Sequence, residues 1–213
     1  MIATTLVLAL AATAAGPARF SVNPEAGNNS FNAVFEAALG ERITAVSSAI
    51  GCELTYDAVG GSAAGTCSVP LKSIMVDNEP TKTEHFQQWA TNKKTKAEKC
   101  KFEAKFDGVK LDGALTDQPS KMSGQATFTI CGRAKEGGGS EPVTGEARML
   151  PDGRLRLHVK IDKFNREAYH IGPKYTDGWA ARVQQLAPVV SDQGTIDFSL
   201  LAKAQETKAA PQP

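Results

Sequence analysis

Few side chains in this sequence have the types and spacing that catalysis or metal binding requires. The three histidines, His85, His158 and His170, form no pair at the i+2 or i+4 spacing of a metal site. A carboxylate pair can hydrolyse glycosidic bonds, but Asp57 and Asp77 stand near predicted strand ends, where solvated carboxylates are common. The motifs for a nucleophilic serine, a phosphate loop or a dinucleotide site do not occur. We therefore predict neither a metal site nor an enzyme.

The four cysteines offer a different chemistry, oxidation to disulfides. Cys52 and Cys67 stand about equally far from a two-glycine turn, Cys100 opens one predicted strand and Cys131 closes the next. Cross-strand neighbours on one face of a sheet lie about 4.5–5.5 Å apart at Cβ, which is close to the separation that a disulfide needs. We predict the pairs Cys52–Cys67 and Cys100–Cys131. Four reduced, buried cysteines are the alternative.

The N-terminal residues resemble an export signal. Residues 1–15 contain an uncharged run rich in Leu, Val and Ala that ends in the small-residue pattern Ala12-Thr13-Ala14, although no basic residue precedes the run. The run is shorter than the roughly 20 apolar residues that span a bilayer. We predict a signal peptide over 1–15 and a periplasmic or secreted protein that is not integral to the membrane. A buried first strand or helix is the alternative.

Charge and composition restrict the remaining function classes. Of the 213 residues, 24 are Lys or Arg and 23 are Asp or Glu, which gives a formal net charge of +1 with no basic block. A protein that binds nucleic acid by neutralising phosphates normally has a basic excess, so we predict no nucleic-acid partner. The 41% of hydrophobic residues is typical of a folded domain. We place this domain at residues 17–202, followed by a disordered tail at 203–213.

The elements that would position any site are mostly strands. Apolar and polar residues alternate in at least eight segments, including one long stripe from Val46 to Tyr56, and turns are predicted at Gly60-Gly61, Asp107-Gly108 and elsewhere. The pattern predicts an all-β antiparallel fold of eight or more strands, which could be a closed barrel or a two-sheet sandwich, and periodicity alone does not separate these two. Two segments do not alternate. A short helix is predicted to begin near Thr83, and residues 165–177 are predicted to form a loop or helical turn.

The parity of the strands, together with the two non-alternating segments, predicts which side chains face the interior. Small residues such as Ala33 and Ala104 stand beside the inward aromatic residues. The rings could fill a dry core or could line a channel for a flexible apolar chain. The predicted pocket-lining residues are Phe31, Phe35, Ile50, Leu54, Tyr56, Leu71, Phe86, Trp89, Phe102, Ala104, Phe106, Phe128, Ile130 and Tyr169.

Several segments in a fixed order resemble motifs of the YceI family, which are lipocalin-like periplasmic proteins. Lys82-Thr83-Glu84-His85-Phe86 is similar to the family's Arg-Asp-x-His-Leu, and Asn165-Arg166-Glu167-Ala168-Tyr169-His170-Ile171 to its Asn-Arg-x-x-Phe-Gly-Ile. Leu54-Thr55-Tyr56-Asp57, Phe128-Thr129-Ile130-Cys131-Gly132 and Thr195-Ile196-Asp197-Phe198 resemble three of its strand motifs. Thr83 and His170 stand where the family has Asp and Gly. The likeness extends from about Phe20 to Ala202.

The resemblance implies an eight-stranded antiparallel lipocalin-like β-barrel with a short helical excursion. This barrel would enclose an apolar pocket for a polyisoprenoid, such as an isoprenoid quinone or its precursor, or another amphipathic lipid. The resemblance implies no cofactor other than such a bound polyisoprenoid or quinone-like lipid. We therefore expect an exported carrier or sequestering protein for an apolar chain. A module of the cell envelope whose barrel is filled by its own side chains is the alternative. The oligomeric state stays open, with a dimer as one option.

Overall fold

The computed structural model describes residues 16–91, 96–176 and 190–205. Within these ranges the chain forms twelve strands: β1 Ala18–Val22, β2 Ser30–Ala37, β3 Arg42–Ser47, β4 Gly51–Asp57, β5 Ser62–Pro70, β6 Met75–Val76, β7 Lys101–Leu111, β8 Ser120–Ile130, β9 Arg133–Ala134, β10 Glu141–Met149, β11 Leu155–Asn165 and β12 Val190–Ala204. One α-helix, α1, spans Pro80–Thr91 in the same ranges, and short 3₁₀ turns cover Ala38–Gly40, Leu71–Ser73, Ala97–Lys99, Glu167–Tyr169 and Pro173–Tyr175.

Eight of the strands close into a barrel. Their order is β1, β4, β5, β7, β8, β10, β11 and β12, all paired antiparallel, and β12 returns to β1. Phe20 of β1 pairs with Ala204 of β12, and Ser21 pairs with Lys203. This closure confirms the predicted eight-stranded antiparallel barrel and excludes the sandwich, whose two sheets would each keep free edges.

The long strand β12 has different partners along its length. Residues 203 and 204 pair with β1, whereas residues 190–199 pair with β2. Strand β2 then continues the sheet to β3 and β6. At this end, three further strands therefore extend the barrel wall, and α1 packs against β6. The space between this extension and α1 is the larger of the two cavities described below.

The predicted alternation agrees with the structure in the central strands. Phe102, Ala104 and Phe106 of β7 are buried, while Lys101 and Lys105 are exposed. Burial of apolar side chains contributes about 25 cal/mol per Å² of apolar surface. A shift of one residue would expose these side chains to solvent, so one register is strongly favoured. The alternation of β8 and of β11 is equally clear. The inward faces of these strands form one continuous apolar core.

Two details of the predicted strand pattern are wrong. Asp107-Gly108 is not a turn between strands but a bulge within β7, where Phe106 pairs with Gly65 and Val109 with Ala63. Two residues thus oppose one, and Gly108 takes the positive φ of +63° that the bulge requires. The Asp-Gly pair, which is typical of a hairpin turn in sequence, here forms a bulge in a continuous strand.

The second error concerns the stripe from Val46 to Tyr56. The chain leaves the sheet at residues 48–50, between β3 and β4, and the parity changes there. Ala45 and Ser47 face inward in β3, and Val46 is 43% exposed. In β4 the buried residues are Cys52 and Tyr56. Because the break contains no Gly or Pro, the alternation alone did not reveal it.

Both predicted disulfides, Cys52–Cys67 and Cys100–Cys131, are present. Cys52 and Cys67 are direct cross-strand partners in the β4–β5 hairpin. Cys100 precedes β7 and Cys131 follows β8, two strands that are paired along most of their length. Each bridge therefore joins two neighbouring strands and does not cross the barrel.

The predicted domain ends differ slightly from the structure. β12 continues to Ala204, two residues beyond the predicted limit, because Phe20 pairs with Ala204 and the Gln205 N–H donates to the Arg19 carbonyl. The predicted signal peptide at 1–15 and residues 206–213 of the predicted tail lie outside the described residues. In the part of the chain that is described, no helix is long and apolar enough to cross a bilayer.

Candidate functional site

A cavity of about 340 Å³ lies between the extended sheet and α1. This volume is near the lower end of the ~300–1,000 Å³ range that is typical of small-molecule sites. Its walls are predominantly apolar and include both aromatic rings and small side chains. The cavity is lined by Phe31, Ala33, Phe35, Ala37, Glu41, Ile43, Ala45, Val76, Lys82, His85, Phe86, Trp89, Phe102, Phe164, Arg166, Ile171, Val190 and Ile196.

The sheet side of the cavity combines small and aromatic residues. Ala33 of β2 pairs directly with Ala45 of β3, and neither side chain extends far from the sheet. Phe31, on the same face, has its ring 5.4 Å from that of Phe102. The alanines leave space that a larger side chain would fill, and the rings limit that space on the barrel side.

A glycine in β12 allows Phe35 to reach the cavity wall. A Cβ atom on Gly194 would lie 2.5 Å from a ring carbon of Phe35 and 2.5 Å from the Val34 carbonyl oxygen. Any other residue at this position would therefore displace the ring or the strand. The pairing of β12 with β2 changes register between Val190 and Gly194, and Val190 is part of the cavity wall.

The opposite side of the cavity is formed by α1. The helix begins with Pro80, which suits the first turn because its missing N–H would have no helical partner. The Thr83 hydroxyl accepts a hydrogen bond from the Val76 N–H at 2.9 Å and so ties the helix to β6. His85, Phe86 and Trp89, at helical spacing, line the cavity.

A lysine and three carboxylates form the rim near the start of α1. The Lys82 ammonium lies 2.9 Å from a Glu41 oxygen, 2.9 Å from an Asp77 oxygen and 3.5 Å from a Glu79 oxygen. Hydrogen bonds to Asp77 and then to Glu41 raise the pKa of Lys82 above its ordinary value. Asp77 also accepts the Thr44 N–H at 2.7 Å and thereby connects the rim to β3. The lysine is held by protein carboxylates and stays charged.

A buried arginine supports the other side of the cavity. Arg166 donates from Nη1 to the Ile171 carbonyl at 2.7 Å, from Nη2 to the Val190 carbonyl at 2.8 Å and from Nε to the Ser191 carbonyl at 3.0 Å. Its Nη2 also pairs with Asp192 at 2.9 Å. Arg166 thus connects the segment after β11 to the start of β12, and both segments supply cavity-lining residues.

The local backbone around Arg166 explains several residues of the motif. The Asn165 side-chain oxygen accepts the N–H groups of Glu167 and Ala168 at the start of a 3₁₀ turn. His170 ends that turn with φ +55°, a left-handed conformation in which glycine is favoured. The family that this segment resembles has Gly at this position. Gly172 gives room to Arg166, because a Cβ there would lie 2.6 Å from Nη1.

Tyr169 lies behind the cavity wall. Its ring stacks on Phe164 with centroids 4.9 Å apart, and Phe164 lines the cavity. Its hydroxyl donates to the buried Glu141 carboxylate at 2.9 Å, which Lys135 also contacts at 3.1 Å. Burial and this hydrogen bond raise the pKa of Tyr169 above its ordinary value. The residue holds the wall in place and is not in the cavity lining.

A smaller cavity of about 40 Å³ lies inside the barrel, lined in part by residues near the β1–β12 closure, among them Phe20 and Leu200. Its lining is almost entirely apolar and includes Met122 and Leu157. The rings of Phe31, Phe102, Phe128 and Phe164 are grouped in the barrel with centroid separations of 5.4–6.1 Å. The aromatic side chains thus fill part of the interior, and the larger cavity lies at one end of the barrel.

The structure divides the predicted pocket residues into three groups. Five line the larger cavity: Phe31, Phe35, Phe86, Trp89 and Phe102. Three line the smaller one: Leu54, Tyr56 and Phe106. Six are in neither lining: Ile50, Leu71, Ala104, Phe128, Ile130 and Tyr169. Parity identifies an inward residue, but whether it meets a cavity or another side chain depends on the long-range packing.

Sequence reasoning missed the polar residues of the larger cavity, which are Glu41, Lys82, His85 and Arg166. Lys82, His85 and Arg166 belong to the two segments that break the strand alternation and carry the resemblance. That signal could have located them. No motif marks Glu41 or Ile43 in the sequence, because these residues line the cavity only once β3 has paired with β2.

The larger cavity offers a ligand mainly apolar surface. Among the described residues no group of three His, Cys, Asp or Glu side chains is placed to hold a metal ion. Lys82 and Arg166 are both occupied by protein acceptors. An apolar chain would be enclosed by aliphatic and aromatic groups, and each buried CH₂ contributes about 0.8 kcal/mol.

Comparison with solved structures identifies the fold class. The chain is similar to a polyisoprenoid binding domain from Saccharophagus degradans implicated in plant cell wall breakdown, with a TM-score of 0.61. The alignment covers 87% of this chain and 98% of that domain at 14% sequence identity. No protein-family model and no curated protein matches the sequence. At this identity the likeness shows a shared barrel fold.

Proposed function

We propose that this protein is a YceI-like, exported lipid-binding protein that holds an isoprenoid-type or other amphipathic chain in the larger cavity. The observation that carries the proposal is the cavity itself, an apolar space of about 340 Å³ between β2, β3 and α1. The ordered motifs and the fold shared with a polyisoprenoid binding domain support it. The two disulfides support an oxidising compartment, such as the periplasm or the cell exterior.

The walls of the cavity favour a flexible apolar chain over a compact polar ligand. The rings of Phe86 and Trp89 on α1 and the small side chains of Ala33 and Ala45 on the sheet line the same space, and Phe35 adds a ring on the sheet side. Binding would come mainly from burial of apolar surface, which gives a negative heat-capacity change and little dependence on salt. The protein would carry or sequester its ligand unchanged, since both cations in the lining are engaged by the protein.

Native mass spectrometry of the protein purified from its own host tests this proposal. We expect a mass increment that disappears after extraction with organic solvent and that corresponds to an apolar chain. A matched sample that has been unfolded, delipidated and refolded should regain an increment when it is incubated with farnesol. If the native sample has only the apo mass and the refolded sample takes up no prenol, the barrel is a structural module and the proposal fails.

A further inference from the structure

The numbers of positive and negative side chains around the larger cavity indicate which head group a ligand could carry there. Two cations, Lys82 and Arg166, are in its lining. They contact four carboxylates, those of Glu41, Asp77 and Glu79 at Lys82 and that of Asp192 at Arg166. Among these described groups, negative charges exceed positive charges by two.

Most donors of the two cations are directed to protein acceptors. The three protons of the Lys82 ammonium match its three carboxylate neighbours, two at 2.9 Å and one at 3.5 Å. Four of the five N–H donors of Arg166 bond to three backbone carbonyls and the Asp192 carboxylate. A phosphate or carboxylate is best held by two parallel donors of one arginine, and Arg166 could offer two only if one of these bonds were displaced.

The N-terminus of α1 does not supply the missing positive potential. A helix N-terminus attracts anions through its free N–H groups and its dipole. Here Asp77 and Glu79 stand three residues and one residue before Pro80, the first residue of the helix, and Pro80 has no N–H. These two carboxylates oppose the positive end of the dipole, so a further anion at this position would meet repulsion.

His85 is the remaining polar side chain in the lining. Its ring lies in the cavity wall one helical turn from Lys82 and makes no hydrogen bond to any described residue. A neutral imidazole can donate one hydrogen bond and accept another, which matches a hydroxyl, carbonyl or amide group.

We infer that the cavity selects apolar chains with a neutral hydrogen-bonding head and discriminates against chains that end in phosphate or carboxylate. This inference rests on the proposed function and names the ligand class of the same site. The acidic rim would act as a filter, and His85 would hydrogen bond to the accepted head group.

The test compares farnesol with farnesyl diphosphate by calorimetric titration, because the two share one chain and differ only in the head. We expect the diphosphate to bind roughly tenfold or more weakly, since its negative charges and those of the rim repel each other. The double variant Glu41→Gln/Glu79→Gln removes two negative charges from the rim and should narrow the difference between the two affinities. Glu84→Gln is the control, because Glu84 is on the same helix and contacts Gln88 instead of Lys82. His85→Phe should weaken binding of farnesol.

The outcomes separate the inference from the proposed function. If the diphosphate binds as tightly as farnesol or more tightly, the inference is wrong while the lipid-binding function stands. If the rim variant and the Glu84→Gln control change the ratio of the two affinities equally, the rim is not the filter and the inference is also wrong. If neither compound binds, the proposed function fails and the inference fails with it. Thermal unfolding of every variant verifies that the barrel is intact.

Discussion

Ala33 of β2 lies directly opposite Ala45 of β3, and both methyl groups line the cavity of about 340 Å³ beneath α1. The neighbouring residue Val46 points away from the cavity and is 43% exposed. Ala45 and Val46 are adjacent on β3 and therefore face opposite sides of the sheet. This relationship makes it possible to fill the cavity without changing the rest of the barrel.

Replacement of Arg166 should destabilise the wall of the cavity. Arg166→Ala would leave the carbonyls of Ile171, Val190 and Ser191 without their present donors, and an unsatisfied buried polar group costs about 1–3 kcal/mol. Arg166→Lys should recover only part of the loss, because an ammonium cannot reproduce the planar geometry of a guanidinium. Urea unfolding measures both variants, and equal stability of Arg166→Lys and wild type would contradict this role.

Tyr169 should make the stability of the protein depend on alkaline pH. Its pKa is raised in the folded state, so its contribution is complete below the unfolded-state value near 10 and is lost as pH rises above it. Tyr169→Phe should be less stable than wild type at pH 8, because the bond to Glu141 is missing. The difference should shrink by about 1.4 kcal/mol per pH unit above pH 10.

Denaturant unfolding of wild type and Tyr169→Phe at pH 8, 10 and 11 measures this dependence. Tyr175→Phe is the control, because Tyr175 is only partly buried and its hydroxyl donates to the Glu167 carbonyl. A constant difference between wild type and Tyr169→Phe at all three values would show that the Tyr169 hydroxyl has no raised pKa.

Each disulfide should stabilise the fold by constraining the unfolded chain. The bonded cysteines are 15 and 31 residues apart in the sequence. For loops of these lengths the chain-entropy relation gives a stabilisation of about 3 and about 4 kcal/mol. The Cys52→Ala/Cys67→Ala double variant should therefore lose slightly less stability than Cys100→Ala/Cys131→Ala. Non-reducing peptide mapping checks the pairing itself, and a peptide that joins Cys52 to Cys131 would be incompatible with the structure.

The rings that fill the barrel should matter to stability more than to binding. Phe128 is fully buried and is in neither cavity lining, so Phe128→Ala should cost about 3–5 kcal/mol through the cavity it leaves. Thr127 is exposed on the same strand, and Thr127→Ala should change the free energy of unfolding by about 0.5 kcal/mol or less. Overlapping melting curves for the two variants would contradict the register of β8.

The sequence predicts the strands of the barrel well because the evidence for each strand is local. Outward residues and buried residues alternate along β7 as far as Phe106 and along β11 as far as Ile161, and only one register keeps every apolar residue buried. The same reasoning places Cys52 beside Cys67, since the hairpin fixes their distance from the turn. Phe86 and Trp89 were found because helical spacing brings them to one face of α1.

The position of the cavity is not available from local pattern. It depends on β12 pairing with β1 at residues 203 and 204 and with β2 between residues 190 and 199, and the residue pattern of β12 does not show where one partner replaces the other. Ala104 and Ala33 have the same parity signal, yet Ala104 packs in the barrel and Ala33 lines the cavity. Only the long-range pairing of strands distinguishes them.

The most direct test of the central claim is calorimetric titration of farnesol into wild type, Ala45→Trp and Val46→Trp. The indole at position 45 would occupy the cavity, whereas at position 46 it would point to the outer face of the sheet. We predict that wild type and Val46→Trp bind farnesol with similar affinity and a negative heat-capacity change, and that Ala45→Trp stays folded and binds no measurable farnesol. Farnesol binding by Ala45→Trp with the affinity of wild type would show that the chain is held elsewhere.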